Sequence, residues 1–137
     1  MTDRRELKFV IADDDRTVLA LVRSILNANG FRLVKEALDG NAAVRMCREV
    51  KPDIAVLDIS MPLLNGIDAA RCIIRSNSRT KIIVITMHTE SRYILESLRA
   101  GITGFVTKDK LASSLPEAIT AVGRGGTYVN ASGFHGY

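Results

Sequence analysis

Short apolar runs alternate along the chain with longer stretches of helical periodicity. Lys8-Phe-Val-Ile-Ala12, Asp53-Ile-Ala-Val-Leu57 and Ile82-Ile-Val-Ile85 are almost wholly apolar over strand length, the pattern of strands covered on both faces. Phe31–Ala37 alternates, as an outer strand does, and Phe105-Val106 is a shorter run of the same kind. Between these runs, apolar residues recur at helical spacing. Val18, Leu19, Val22, Ile25 and Leu26 form one stripe. Ala42, Ala43, Met46 and Cys47 form a second; Ile67, Ala70, Cys72, Ile73 and Ile74 form a third. Ile94, Leu95 and Leu98 make a fourth within Glu90–Ala100, and Leu115–Val122 carries the last.

The boundaries carry their own chemistry. Asn29-Gly30 and Gly101 are helix stops, and Asp39 is a helix cap. Pro52 restricts the chain ahead of its strand. Pro116 lacks a backbone N–H, which only the first turn of a helix tolerates without loss, so the last helix is expected to begin near Ser113. Five β–α units with parallel strands make a three-layer α/β sandwich. Residues 1–7 are expected to be an N-terminal extension, 8–124 one domain, and 125–137 a tail or the start of a linker.

Composition narrows this picture. A length of 137 residues suits a single domain, and 47% hydrophobic residues can supply its core. No apolar run approaches the length of a membrane span, and Ile82–Ile85 is of buried-strand length. The polar start, Met1–Leu7, lacks the apolar centre of a secretory signal. Cys47 and Cys72 lie among apolar neighbours and are expected to be buried thiols, which suggests a cytoplasmic location. The net charge of +4 is mild, and the arginines are scattered from Arg4 to Arg124 with no aromatic interleaving. That dispersion describes a solvated surface and argues against direct nucleic-acid binding.

The polar residues at the strand ends carry the chemistry. Asp13 and Asp14 follow the first strand, Asp58 the third, Thr86 the fourth and Lys108 the fifth. In a parallel sheet those ends share one edge, so carboxylates, a hydroxyl and an ammonium converge. Clustered carboxylates repel one another and suit a hard divalent cation. Mg²⁺, with Mn²⁺ as a substitute, would be held by Asp13 or Asp14, by Asp58 and by the main-chain carbonyl of Ser60. Asp58 is the candidate nucleophile toward a phosphorus atom. Thr86 and Lys108 would meet the other phosphoryl oxygens. Asp15 is read chiefly as a helix cap. A GxGxxG turn is absent after the first strand, where Ala12-Asp-Asp-Asp15 stands, and no GxxxxGK[ST] loop occurs, so dinucleotide and P-loop chemistry are set aside.

Four stretches together resemble the receiver domain of bacterial two-component response regulators: Val10–Asp15, Val56–Pro62 with Asn65-Gly66, Val84–His88, and Ala100–Lys108. The resemblance implies a flavodoxin-like, CheY-like fold with strand order 2-1-3-4-5. It implies that Asp58 accepts a phosphoryl group from a sensor histidine kinase or phosphotransfer protein, with Asp13 and Asp14 as the acidic metal pair. Thr86 would be the switch hydroxyl, Lys108 the phosphate-contacting lysine, and Phe105 an aromatic switch that turns inward. Ser60 and His88 fall at positions that tune acyl-phosphate hydrolysis in this family.

The segment from Glu117 to Tyr128 resembles receivers of the NarL/LuxR class, which precede a helix-turn-helix DNA-binding domain. No such motif occurs in this chain. The chain is expected to act as a phosphorylation switch for a missing output domain that controls transcription. The alternative is a stand-alone receiver working through protein–protein contacts. A metal-dependent phosphohydrolase is a weaker fit, because Ser60 stands where a general acid would be needed. The output face is expected on the helix over 90–100, with Arg92, Tyr93, Glu96 and Arg99 exposed, the strand around Phe105 and the last helix. It would support a phosphorylation-dependent homodimer. The kinase is expected near Val18 and Leu19.

Overall fold

The computed structural model describes residues 7–87 and 90–130. Its elements are β1 (Lys8–Ala12), α1 (Arg16–Ala28), β2 (Arg32–Ala37), α2 (Gly40–Val50), β3 (Ile54–Asp58), α3 (Gly66–Ser76), β4 (Lys81–Thr86), α4 (Ser91–Arg99), β5 (Gly104–Thr107), α5 (Leu111–Gly123) and β6 (Tyr128–Asn130). The strands are all parallel and lie in the order β2-β1-β3-β4-β5-β6. The expected order 2-1-3-4-5 is present, with a sixth strand added beyond β5 from within the segment read as tail or linker.

Alternation along the strands builds two cores. On one face Val10, Ala55, Leu57, Ile82 and Val84 pack against α2, α3 and α4. On the other, Phe9, Ile11, Ile54, Val56, Ile83 and Ile85 pack against α1 and α5. β3 is buried along its entire length, Ile54–Leu57 as apolar residues and Asp58 as a buried acid. Asp15 and Asp39 cap α1 and α2, accepting main-chain hydrogen bonds from Thr17 and Ala42. Among the described residues, no helix is long and apolar enough to cross a membrane.

Three expectations are corrected. α5 begins at Leu111, ahead of Ser113, and holds Pro116 in its interior. Its buried stripe starts with Leu111 and continues through Ser114, Leu115, Ala118, Ile119 and Val122, and that burial outweighs the hydrogen bond Pro116 forfeits. In α4, Ile94 is fully buried but Leu95 and Leu98 are exposed. The helix flanks the sheet and turns its narrow inner face, Ile94 and Ser97, to the core. Ser97 is accommodated there because its hydroxyl donates to the Tyr93 carbonyl at 2.7 Å. Cys47 is buried, and burial pushes its thiol up to about 12, whereas Cys72 is only half-buried; both are free thiols.

Candidate phosphoryl and metal site

The carboxyl ends of β1, β3, β4 and β5 deliver the polar residues to one edge. Asp13 follows β1 and is fully buried; its main-chain N–H donates to the Ala37 carbonyl, which fixes the turn. One of its carboxylate oxygens accepts the Asp15 N–H at 2.9 Å. The other meets Lys108 Nζ at 2.9 Å. Lys108 also lies 3.3 Å from Asp58 Oδ1, so one ammonium bridges two buried carboxylates. Asp14 is exposed at the mouth. Carboxylate oxygens of Asp13, Asp14 and Asp58 all lie within 4.8 Å of one another. An oxygen cluster of that span can coordinate a divalent cation such as Mg²⁺.

The electrostatics point the same way. Burial pushes the Asp58 carboxyl above its ordinary range, and the charge of Asp13 pushes it further. Lys108 and a hydrogen bond from the Ser60 main chain pull against this without cancelling it. For Lys108, burial alone would lower the pKa, but the hydrogen bond to Asp13 and the charges of Asp58 and Asp13 raise it. The site therefore carries an excess of negative charge that one lysine does not neutralise, which is the charge deficit a divalent cation fills.

Thr86 ends β4 and is completely buried. It stands one residue past Ile85, the register partner of Asp58, and is itself the register partner of Thr107. Phe105 is already packed inward, 1% exposed, in the core that includes Ile94 and Ile102. Ser60 is exposed. His88 lies outside the described residues. Arg92, Glu96 and Arg99 are exposed on α4, while Tyr93 is half-buried with the Arg92 guanidinium 4.9 Å from its ring centre.

The spacing of acids did not reveal what holds Asp58 in place. Gly66 is one such feature: a Cβ there would lie 2.1 Å from the Asp58 carbonyl oxygen. Its N–H donates to Ile59, locking the start of α3 under the end of β3. Gly40 is the second, where a Cβ would lie 1.8 Å from the Leu64 carbonyl oxygen. Both glycines are visible in the sequence, but only the close approach of two loops explains them. A cavity of about 590 Å³, lined in part by Leu7, Arg79, Ile119 and Arg124, opens at the far edge of the sheet, away from the acids.

A family model described as the response regulator receiver domain matches residues 9–120. The chain is 34% identical over 124 residues to the uncharacterized transcriptional regulatory protein YxjL of Bacillus subtilis, covering 90% of this chain and 57% of that protein. It thus spans little more than half the length of such relatives. The chemotaxis protein CheY of Thermotoga maritima is 32% identical over 117 residues, 85% of this chain and 98% of that protein. Among solved structures, a two-component response regulator of the LuxR family from Aurantimonas sp. superposes with a TM-score of 0.84 at 34% identity. That match covers 90% of this chain and 89% of the other.

Proposed function

The chain belongs to the response regulator receiver domain family, and on that premise we propose that Asp58 is its phosphoacceptor. The observation that carries this is the bridge of Lys108 between buried Asp13 and buried Asp58 at the mouth of an acidic cluster. Asp58 attacks the phosphorus of a phosphohistidine on a partner kinase or phosphotransfer protein. The new O–P bond makes an acyl phosphate, and the broken P–N bond leaves its electron pair on the imidazole. Asp13 or Asp14, Asp58 and the Ser60 carbonyl would hold Mg²⁺, which would supply positive charge to offset that of the phosphoryl group. Lys108 exchanges part of its contact with Asp58 for a phosphoryl oxygen, and the Thr86 hydroxyl donates to another. The inward position of Phe105 is the one that accompanies Thr86 when it closes on the phosphoryl group.

The signal leaves through α4, β5 and α5. The acyl phosphate carries about 1.5 to 2 negative charges where the Asp58 carboxylate carried one, and the two-state elements around it must accommodate the difference. On α4 the exposed Leu95 and Leu98 add apolar surface to Arg92, Glu96 and Arg99, which suits a second receiver or an output domain. The first helix offers Leu21, 43% exposed, and half-buried Val18 to the kinase; Leu19 is committed to the core. In the whole protein the switch would control a helix-turn-helix output in the cytoplasm. A relative named as a transcriptional regulatory protein, of which the match covers only 57%, supports that reading.

Intact mass after incubation with Mg²⁺ and acetyl phosphate tests the proposal. One Mg²⁺-dependent phosphoryl addition is expected, lost with chelator and lost in Asp58→Asn. Addition that persists in Asp58→Asn would move the acceptor elsewhere.

A further inference from the structure

After α5 the chain returns to the sheet as β6. β6 runs parallel to β5, with Tyr128, Val129 and Asn130 opposite Gly104, Phe105 and Val106. Because the two strands are parallel, β6 heads toward the edge that carries Asp58 and Lys108. The Tyr128 N–H donates to the Thr103 carbonyl at 2.8 Å.

Side chains anchor β6 to both faces of the sheet. Val129 packs on the apolar cluster that contains Phe105. Tyr128 packs on the opposite core, and its hydroxyl donates to Glu117 Oε2 at 3.0 Å. The Asn130 side-chain amide donates to the hydroxyl of Ser114, itself buried on α5. A three-residue edge strand is nevertheless short, and its residues are only half-buried. Such a strand opens at a lower free energy than the central strands do.

We propose that β6 is a coupling strand: its docking against β5 and Phe105, and phosphorylation of Asp58, stabilise one another. The inference rests on the receiver reading above. Its physical route is contiguous. Lys108 touches Asp58 and directly follows β5; Thr107 on β5 is the register partner of Thr86; and β6 is the next strand outward. Val129 closes the outer side of the cluster that receives Phe105, so docked β6 favours the inward ring. Phosphorylation favours the same ring position, which gives the coupling a positive sign. Coupling free energies are reciprocal, so each event must shift the other by the same factor.

Hydrogen exchange on the full chain reads one direction. With Mg²⁺ present, adding beryllium fluoride as the phosphoryl mimic is expected to slow exchange of the Tyr128 amide by about 5-fold or more. The reverse direction uses Val129→Ser, with folding verified by exchange protection in β1 and β3. Its affinity for beryllium fluoride, followed by fluorine NMR, is expected to fall by a similar factor. Unchanged or faster Tyr128 exchange in the liganded wild type would overturn the coupling, as would wild-type affinity in a folded Val129→Ser. If Val129→Ser does not fold, the wild-type exchange measurement still decides. A wild type that takes up neither beryllium fluoride nor a phosphoryl group would instead sink the receiver reading, and the coupling with it.

Discussion

Leu63 occupies the left-handed region of backbone space (φ 70°) and is 79% exposed, five residues after Asp58. A branched side chain in that conformation costs about 1–2 kcal/mol from crowding between Cβ and the carbonyl oxygen. Exposure means that little burial compensates the strain. Glycine removes the crowding but adds freedom to the unfolded chain, at about 0.5–1 kcal/mol. The difference sets the expectation: Leu63→Gly raises the urea midpoint, by about 0.5 kcal/mol of stability, and leaves phosphoryl uptake from acetyl phosphate intact. A lower midpoint would show that Leu63 is anchored by packing worth more than its strain. Lys51 shares the conformation (φ 51°), but there it closes α2, with its N–H donating to the Cys47 carbonyl.

At the level of elements, the helix α3 is set by contact with β3. The Gly66 N–H donates to the Ile59 carbonyl at 2.8 Å, and no side chain fits between. Gly66→Ala forces a methyl group against the Asp58 backbone, so β3 and α3 must separate. A loss of about 2 kcal/mol or more is expected in urea unfolding, within the range of overpacked sites. Slower phosphoryl uptake should accompany it, because Asp58 moves with its carbonyl. Stability and uptake both at wild-type level would show that the loop yields freely. The same elements show why the sequence was informative in places. Ile54–Leu57 in β3 and Ile82–Ile85 in β4 are wholly apolar over strand length, the pattern of strands covered on both faces. Asp13, Asp58 and Lys108 meet because parallel strands end on one edge, a consequence of topology that spacing already contains. In α4, periodicity locates a stripe but not its width, and Ser97 enters the core by satisfying its own hydroxyl. β6 was missed because Tyr128-Val129 after Gly125-Gly126 is too short to signal a strand. Its place comes from the long-range pairing with β5.

For the molecule as a whole, the net charge is +4, yet the most buried charged groups among the described residues are acids. Solvent and salt screen the scattered surface cations, so they do little for Asp13 and Asp58. Lys108 is the cation in contact with both. Burial first, then Asp13, holds the Asp58 carboxyl above its ordinary range. A carboxyl whose folded pKa is raised makes the fold less stable as pH climbs from the unfolded pKa through the folded one, and the loss is complete above the folded pKa. Asp58→Asn removes that charge, while Lys108 keeps its 2.9 Å contact with Asp13. The melting temperature of Asp58→Asn without metal is therefore expected to exceed that of the wild type, by a few degrees if the gain is about 1 kcal/mol. Mg²⁺ acts on the same repulsion from outside. At about 100 times its dissociation constant, a ligand that binds only the folded state adds about 2.7 kcal/mol. Thermal melts with and without Mg²⁺ should show a marked upward shift for the wild type and a smaller one for Asp58→Asn. If Asp58→Asn instead melts lower without metal, the attraction between Lys108 and Asp58 outweighs the repulsion, and the acidic cluster is stabilised by its own lysine rather than held ready for a cation.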